Sequence, residues 1–195
     1  MRTAQIARKT AETDIVLTLN LDGTGKSGVK TGCGFLDHML TLFARHGRFD
    51  LTVRCEGDTW VDDHHTVEDV AICLGDAFAQ AWGDLRGVTR YGSALLPMDE
   101  ALILTAVDLS GRGLLCCDIQ IPTEKVGTFD TQLVQEFLMA LARRGNFTLH
   151  VRQMAGVNSH HIIEGVFKSL ARSLRQAITL DEKASGEIPS TKGVL

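Results

Sequence analysis

HMLTLFARHGRFDLTVRCEGD, residues 38–58, recurs as EFLMALARRGNFTLHVRQMAG, residues 136–156, at a constant offset of 98. Leu42, Ala44, Gly47, Phe49, Leu51, Val53 and Arg54 meet Ala140, Ala142, Gly145, Phe147, Leu149, Val151 and Arg152. The likeness continues outward on both sides. LNLDGTG (19–25) resembles VDLSGRG (107–113), each an apolar strand entering a glycine turn, and HHTVEDVAICLGDAFAQAW (64–82) aligns with HHIIEGVFKSLARSLRQAI (160–178) at an offset of 96. Two copies are too few for a solenoid, so the duplication points to one pseudo-symmetric domain.

The periodicities agree between the copies. Residues 14–21 and 102–109 are rich in Ile, Val and Leu and end at glycine turns, as strands do. Residues 36–46 and 131–144 carry apolar side chains at helical spacing and run into Gly47 and Gly145, which read as C-terminal stops. Residues 49–55 and 147–153 alternate as half-buried strands, and 64–82 and 160–178 are long amphipathic helices. Asp62-Asp63 and Asn158-Ser159 supply their N-terminal caps. The expected fold is therefore α+β: two tandem β-β-α-β-α halves, about 1–92 and 93–180, with antiparallel or mixed sheets covered by helices on one face. A polar tail, 181–195, containing Gly186 and Pro189, reads as an extended loop.

Composition narrows the function. A chain of 195 residues with 44% hydrophobic content can bury a core. A net charge of −4 with no basic run argues against a nucleic-acid partner, and the short apolar stretches argue against a membrane span. The N-terminus lacks an apolar stretch of the signal-peptide kind, and the five cysteines are odd in number without CxxC spacing. Reduced, structural thiols in a cytoplasm are expected.

The chemistry is concentrated in His64-His65-Thr66-Val67-Glu68 and His160-His161-Ile162-Ile163-Glu164, which hold four of the seven histidines. In each block the first His and the Glu are i,i+4 and share a helix face, while the second His points about 100° away. One such block is as compatible with an ordinary surface i,i+4 contact as with a metal site. Two blocks at equivalent places in a repeat favour metal. The offset of 98 also sets His38 opposite Glu136, which raises the candidate ligands to five His and three Glu. Imidazole and carboxylate without thiolate suit Mn, Fe or Zn. His46, at a helix end, can simply complement the helix dipole, and His150 reads as structural. Arg90, Arg112 in its Gly-Arg-Gly turn and Ser190-Thr191-Lys192-Gly193 are candidate anion contacts, although such loop residues are commonly just solvated.

GFLDHML, ARHGRFDL, GDTWVDDHHTVED, DLSGRG, NSHHIIEGVFKSLARSLRQAI and PSTKGVL together resemble the imidazoleglycerol-phosphate dehydratases of histidine biosynthesis, in order and over essentially the whole chain. The resemblance is to the monofunctional form, with no room for a fused phosphatase. It implies a carbon–oxygen hydro-lyase with two Mn2+ ions per active site, assembled as a 24-mer from trimers with sites completed by neighbouring subunits. One metal would take His38, His65, His160 and Glu164; the other would take His64, Glu68, His161 and residue 136. Many members have His at that position, so Glu136 is either a second carboxylate ligand or a residue set back from the metal. The substrate would be imidazole glycerol phosphate and the product imidazole acetol phosphate, with the substrate ring held between the metals as imidazolate and acting as electron sink. Glu12 would carry the acid/base work. Arg90, Arg112, Ser190 and Lys192 would clamp the phosphate, with His46 and Lys168 lining the pocket and 181–195 serving as a substrate-binding tail. Two other readings compete: a di-metal hydrolase of a small phosphorylated metabolite, and a non-catalytic shell with metals as glue between subunits.

Overall fold

The structure, a computed structural model, describes residues 1–184 and 186–193. The first half runs β1 (Thr3–Lys9), β2 (Thr13–Asn20), β3 (Ser27–Lys30), α1 (Gly34–Gly47), β4 (Asp50–Gly57) and α2 (His64–Trp82). The second runs β5 (Tyr91–Met98), β6 (Ala101–Asp108), β7 (Leu114–Asp118), a short hairpin of β8 (Lys125–Val126) and β9 (Phe129–Asp130), α3 (Leu133–Arg144), β10 (Thr148–Ala155) and α4 (Ser159–Ala177). The β-β-α-β-α order thus holds in each half, with a further strand before the first helix and, in the second half, the β8–β9 hairpin as well. These extra strands, β3 and β7, are short and mostly outside the core, so they carry little of the apolar alternation that marks a strand in sequence.

The two sheets are copies of each other. Their strand orders are β1-β2-β4-β3 and β5-β6-β10-β7. Leu17 pairs with Val53 and Val29 with Val53; in the second sheet Thr105 pairs with Val151 and Cys117 with Val151. The register is therefore the same in both. A one-residue slip would turn every core side chain outward, which is why the register survives divergence of the side chains. Ile15, Leu17 and Leu19 of β2 are buried, and Ile103 and Val107 of β6 repeat them. At position 105 the core has instead a buried Thr, whose hydroxyl lies 2.5 Å from that of Ser173 on α4.

Gly47 and Gly145 do not end their helices by adopting a left-handed conformation. That conformation falls one residue later, on Arg48 (φ 56°) and Asn146 (φ 54°). The glycines are needed for space: a Cβ on Gly145 would lie 2.6 Å from the Phe147 ring, and Gly47 faces Phe49 in the same way. Both phenylalanines are fully buried, and their N–H groups donate back to Ala44 (3.0 Å) and Ala142 (3.2 Å) to close the helix ends.

Helices cover one face of each sheet. They then pair across the halves, α1 against α4 and α3 against α2, so the four form a layer between the sheets. Beyond α4 the chain turns through a short 3-10 segment, Glu182–Ala184, and is tied back to 86–90 by hydrogen bonds from Asp181 N–H to Gly87 (2.8 Å) and from Gly87 N–H to Glu187 (2.8 Å).

Candidate active site

The first turn of α4 is set by Asn158, whose side-chain oxygen accepts from the N–H of His160 (2.9 Å) and His161 (3.3 Å). One turn on, Glu164 Oε2 lies 3.2 Å from His160 Nε2. The pairing of α1 with α4 brings in His38, whose Nε2 is 3.5 Å from the same oxygen. These three donor atoms lie within 4.8 Å of one another. Lys168 pairs with the other oxygen of Glu164. Burial pushes the Glu164 carboxyl up, but the hydrogen bond and charge of Lys168, with help from His160, outweigh it and hold the group below its usual range.

The repeat places a second set on α2 and α3. The His64 N–H is capped by Asp62 (2.8 Å), and His64 Nε2 stands 3.7 Å from Glu68 Oε2. Glu136, half-buried, occupies the first turn of α3, and His38, exposed, stands near the start of α1. Among the described residues, only the His38 set has its three donor atoms drawn within 4.8 Å.

The second histidine of each block turns away from these sets. His65 Nδ1 lies 3.0 Å from Asp58 Oδ2, and its Nε2 lies 3.6 Å from Glu12 Oε1. His161 Nδ1 lies 2.7 Å from Glu100 Oε2. The hydrogen bond to Asp58 raises His65 above its ordinary pKa, and the hydrogen bond to Glu100 does the same for His161. Within one chain the expected quartet of His38, His65, His160 and Glu164 is therefore three residues in one place and His65 in another. Asp58 and Glu100 were not singled out from sequence. The offset of 88 that aligns LNLDGTG with VDLSGRG sets Glu12 on Glu100, and that signal was available.

The turn bearing Glu12 is pinned to α2. Thr10 Oγ1 accepts from the N–H of Glu12 (3.1 Å) and of Thr13 (2.9 Å), and Thr13 Oγ1 donates to Asp69 Oδ2 (2.5 Å). Arg8 donates twice to the other oxygen of Asp69, at 3.1 and 2.9 Å. Asp69 follows Glu68 directly, so one helix carries both the candidate ligands and the anchor of the candidate acid/base.

A separate cavity of about 460 Å³ lies between Arg90, Tyr91, Ser110 and Arg112 on one side and Ser190 to Lys192 on the other. Arg90 donates to Asp108 (2.8 Å) and to the Pro189 carbonyl (2.7 Å), which ties the tail to the body. With Nε and one hydrogen of each terminal nitrogen so used, two of its five N–H groups are left for a ligand. His46 is elsewhere, in a cavity of about 330 Å³ with Arg48, Arg172 and Arg175. Burial, followed by the charges of Lys168 and Arg172, lowers its pKa. Lys168 belongs to the Glu164 cluster. Of the expected phosphate and pocket residues, the structure brings together Arg90, Arg112, Ser190 and Lys192 and sets His46 and Lys168 apart.

The Arg90 N–H donates to the Ala177 carbonyl (2.9 Å), which puts the Arg90 cavity at the C-terminal end of α4. The His160–Glu164 cluster is at the N-terminal end. At 1.5 Å per residue the two are roughly 20 Å apart along the helix.

The imidazoleglycerol-phosphate dehydratase family model matches residues 31–174. An imidazoleglycerol-phosphate dehydratase of Dinoroseobacter shibae is 59% identical over 195 residues, the full length of both chains. One from Desulforamulus reducens is 60% identical over 194 residues, covering 100% of this chain and 98% of its own. Solved dehydratase structures from Staphylococcus aureus and Pyrococcus furiosus each superpose with a TM-score of 0.84 at 38% identity. They cover 92% and 97% of this chain, and 99% and 100% of their own lengths.

Proposed function

Because the chain belongs to the imidazoleglycerol-phosphate dehydratase family, a family of hydro-lyases in histidine biosynthesis, we propose that it converts imidazole glycerol phosphate to imidazole acetol phosphate with two Mn2+ ions per site. The observation that carries this reading is the convergence of His38 Nε2, His160 Nε2 and Glu164 Oε2. Two imidazoles and a carboxylate, with no thiolate, fit a borderline-to-hard divalent ion such as Mn2+. His64, Glu68 and Glu136 are the corresponding residues for the second ion, and His65 and His161 complete the two sets. When bound, the ions would stabilise the substrate imidazole as its anion, which makes the loss of water feasible at a carbon that is otherwise not acidic.

The remaining work falls to the chain itself. Arg90, Arg112, Ser190 and Lys192 hold the phosphate and fix the substrate's orientation. Glu12, its backbone locked by Thr10 and Thr13, presents its carboxylate beside His65 for proton transfer. Its rigid mounting on α2 keeps that carboxylate in a constant relation to the ligand helix.

A substrate whose imidazole and phosphate are joined by three carbons spans at most roughly 10 Å at ordinary bond lengths. It does not bridge the gap of roughly 20 Å between cluster and cavity in one chain. The active site is therefore completed by neighbouring subunits, which also accounts for the separation of His65 and His161 from the sets they belong to. A closed homo-oligomer, the expected 24-mer of trimers, meets this need. A reducing, cytoplasmic setting suits the five cysteines, all of them free. No helix among the described residues is long and apolar enough to cross a membrane.

The test is turnover of synthetic imidazole glycerol phosphate by protein stripped with chelator and then reloaded with Mn2+. Formation of the enolisable ketone only after reloading supports the proposal. Release of inorganic phosphate, or metal-independent turnover, sinks it.

A further inference from the structure

We infer that Glu100 and Asp58 are positioning residues, each accepting a hydrogen bond from the Nδ1–H of the second histidine in a pair and so leaving its Nε2 unprotonated to bind metal. The inference rests on the two-metal reading above. His161 Nδ1 is 2.7 Å from Glu100 Oε2, and His65 Nδ1 is 3.0 and 3.2 Å from the two oxygens of Asp58. An ionised carboxylate only accepts, so the nitrogen facing it carries the proton and the lone pair lies on Nε2. Carboxylates behind metal-binding histidines fix the ring and its tautomer in this way.

Glu100 is itself held. Its Oε1 accepts from the N–H groups of Val157 (3.2 Å) and Asn158 (2.8 Å), which aims Oε2 at His161. Asn158 caps α4 and so sets the histidine's backbone, and Glu100 sets its ring. Asp58 is buried, and its backbone is fixed by bonds with Glu12 (3.1 Å) and Val61 (2.9 Å).

The duplication explains why the two carboxylates come from different places. Glu100 ends the turn into β6 as Glu12 ends the turn into β2, at an offset of 88. In the second half the turn glutamate grips the histidine. In the first half Asp58 has taken over Nδ1 of His65, and Glu12 stands 3.6 Å from Nε2 on the other side of the ring. In the second half Asp99 Oδ2 stands likewise 3.7 Å from His161 Nε2, so each second histidine has one carboxylate on Nδ1 and another beside Nε2.

The test is Mn2+ binding to chelator-treated protein, read as free Mn2+ by electron paramagnetic resonance. Glu100→Gln keeps an oxygen for Val157 and Asn158 but turns an amide N–H2 donor toward Nδ1. His161 must then carry its proton on Nε2, where the metal would bind. The expected result is one of the two ions per chain bound roughly 10- to 100-fold more weakly, with the metal-free melting temperature unchanged. Asp58→Asn should weaken the other ion. If Glu100→Gln binds both ions as wild type does, the inference is overturned. It is equally overturned if both ions weaken together with a lower metal-free melting temperature, since the residue is then structural. Wild-type protein that binds no Mn2+ would instead overturn the two-metal reading itself.

Discussion

Subunits made defective at opposite ends of α4 should repair each other. His160→Asn removes a donor from the cluster at the start of the helix, and Arg112→Ala removes a cation from the cavity at its end. Losing one charge-assisted phosphate bond costs about 1.5–3 kcal/mol, a drop of roughly 10- to 150-fold in Arg112→Ala, and loss of a ligand should disable His160→Asn further. If cluster and cavity of one chain serve the same site, every site in a mixed particle contains one lesion and activity stays at the average of the parents. If they serve different sites, an intact site needs its cluster from an Arg112→Ala chain and its cavity from a His160→Asn chain. Each condition is met half the time in a randomly mixed closed assembly, so about one quarter of wild-type activity returns. The assay is co-expression with two different tags, tandem purification to retain only mixed particles, and turnover per chain. Mixed particles no more active than their parents would refute the argument from the roughly 20 Å gap.

Asp69→Ala leaves Arg8 and the Thr13 hydroxyl without their shared acceptor, and should cost about 2–3 kcal/mol of unfolding free energy in denaturant titration as well as lowering kcat through a looser Glu12 turn. Unchanged kcat would detach Glu12 from that anchor. The Asp50 carboxyl is held below its usual range by the N–H of Lys26, followed by those of Thr24 and Gly25, at 2.9, 2.8 and 3.1 Å. A depressed folded pKa contributes stability that is complete above the unfolded value near 3.8 and is lost as pH falls through the folded one. Asp50→Asn should therefore flatten the fall in stability below about pH 4, and identical acid profiles would contradict this. Burial pushes the thiols of Cys33 and Cys73 up to about 12 and that of Cys55 to about 11. Iodoacetamide at pH 8 should leave all three unlabelled until denaturant is added, as peptide mass mapping would report.

Much of this was legible in the chain because the duplication makes each half a reading of the other. The helix 64–82 is α2 to the residue, and 160–178 differs from α4 by one residue at each end. The strands β3 and β7 were not legible, because a short parallel edge strand gains its hydrogen bonds from β4 and β10 rather than from its own apolar pattern. Gly47 and Gly145 do stand where α1 and α3 end, but why glycine is needed there was not legible. The ring that demands the missing Cβ belongs to a residue two positions on, and only the folded turn brings it back.

The sequence by itself determined the family, the tandem architecture and the candidate residues, since a repeated His-His-x-x-Glu pattern requires no coordinates to be seen. Only the tertiary structure decided their grouping. Helices pair across the halves rather than within them, so His38 meets Glu164, 126 positions away in the chain. The 100° step between adjacent helical residues sends His65 and His161 to different carboxylates. The length of α4 then holds cluster and cavity roughly 20 Å apart, a distance that no linear pattern contains.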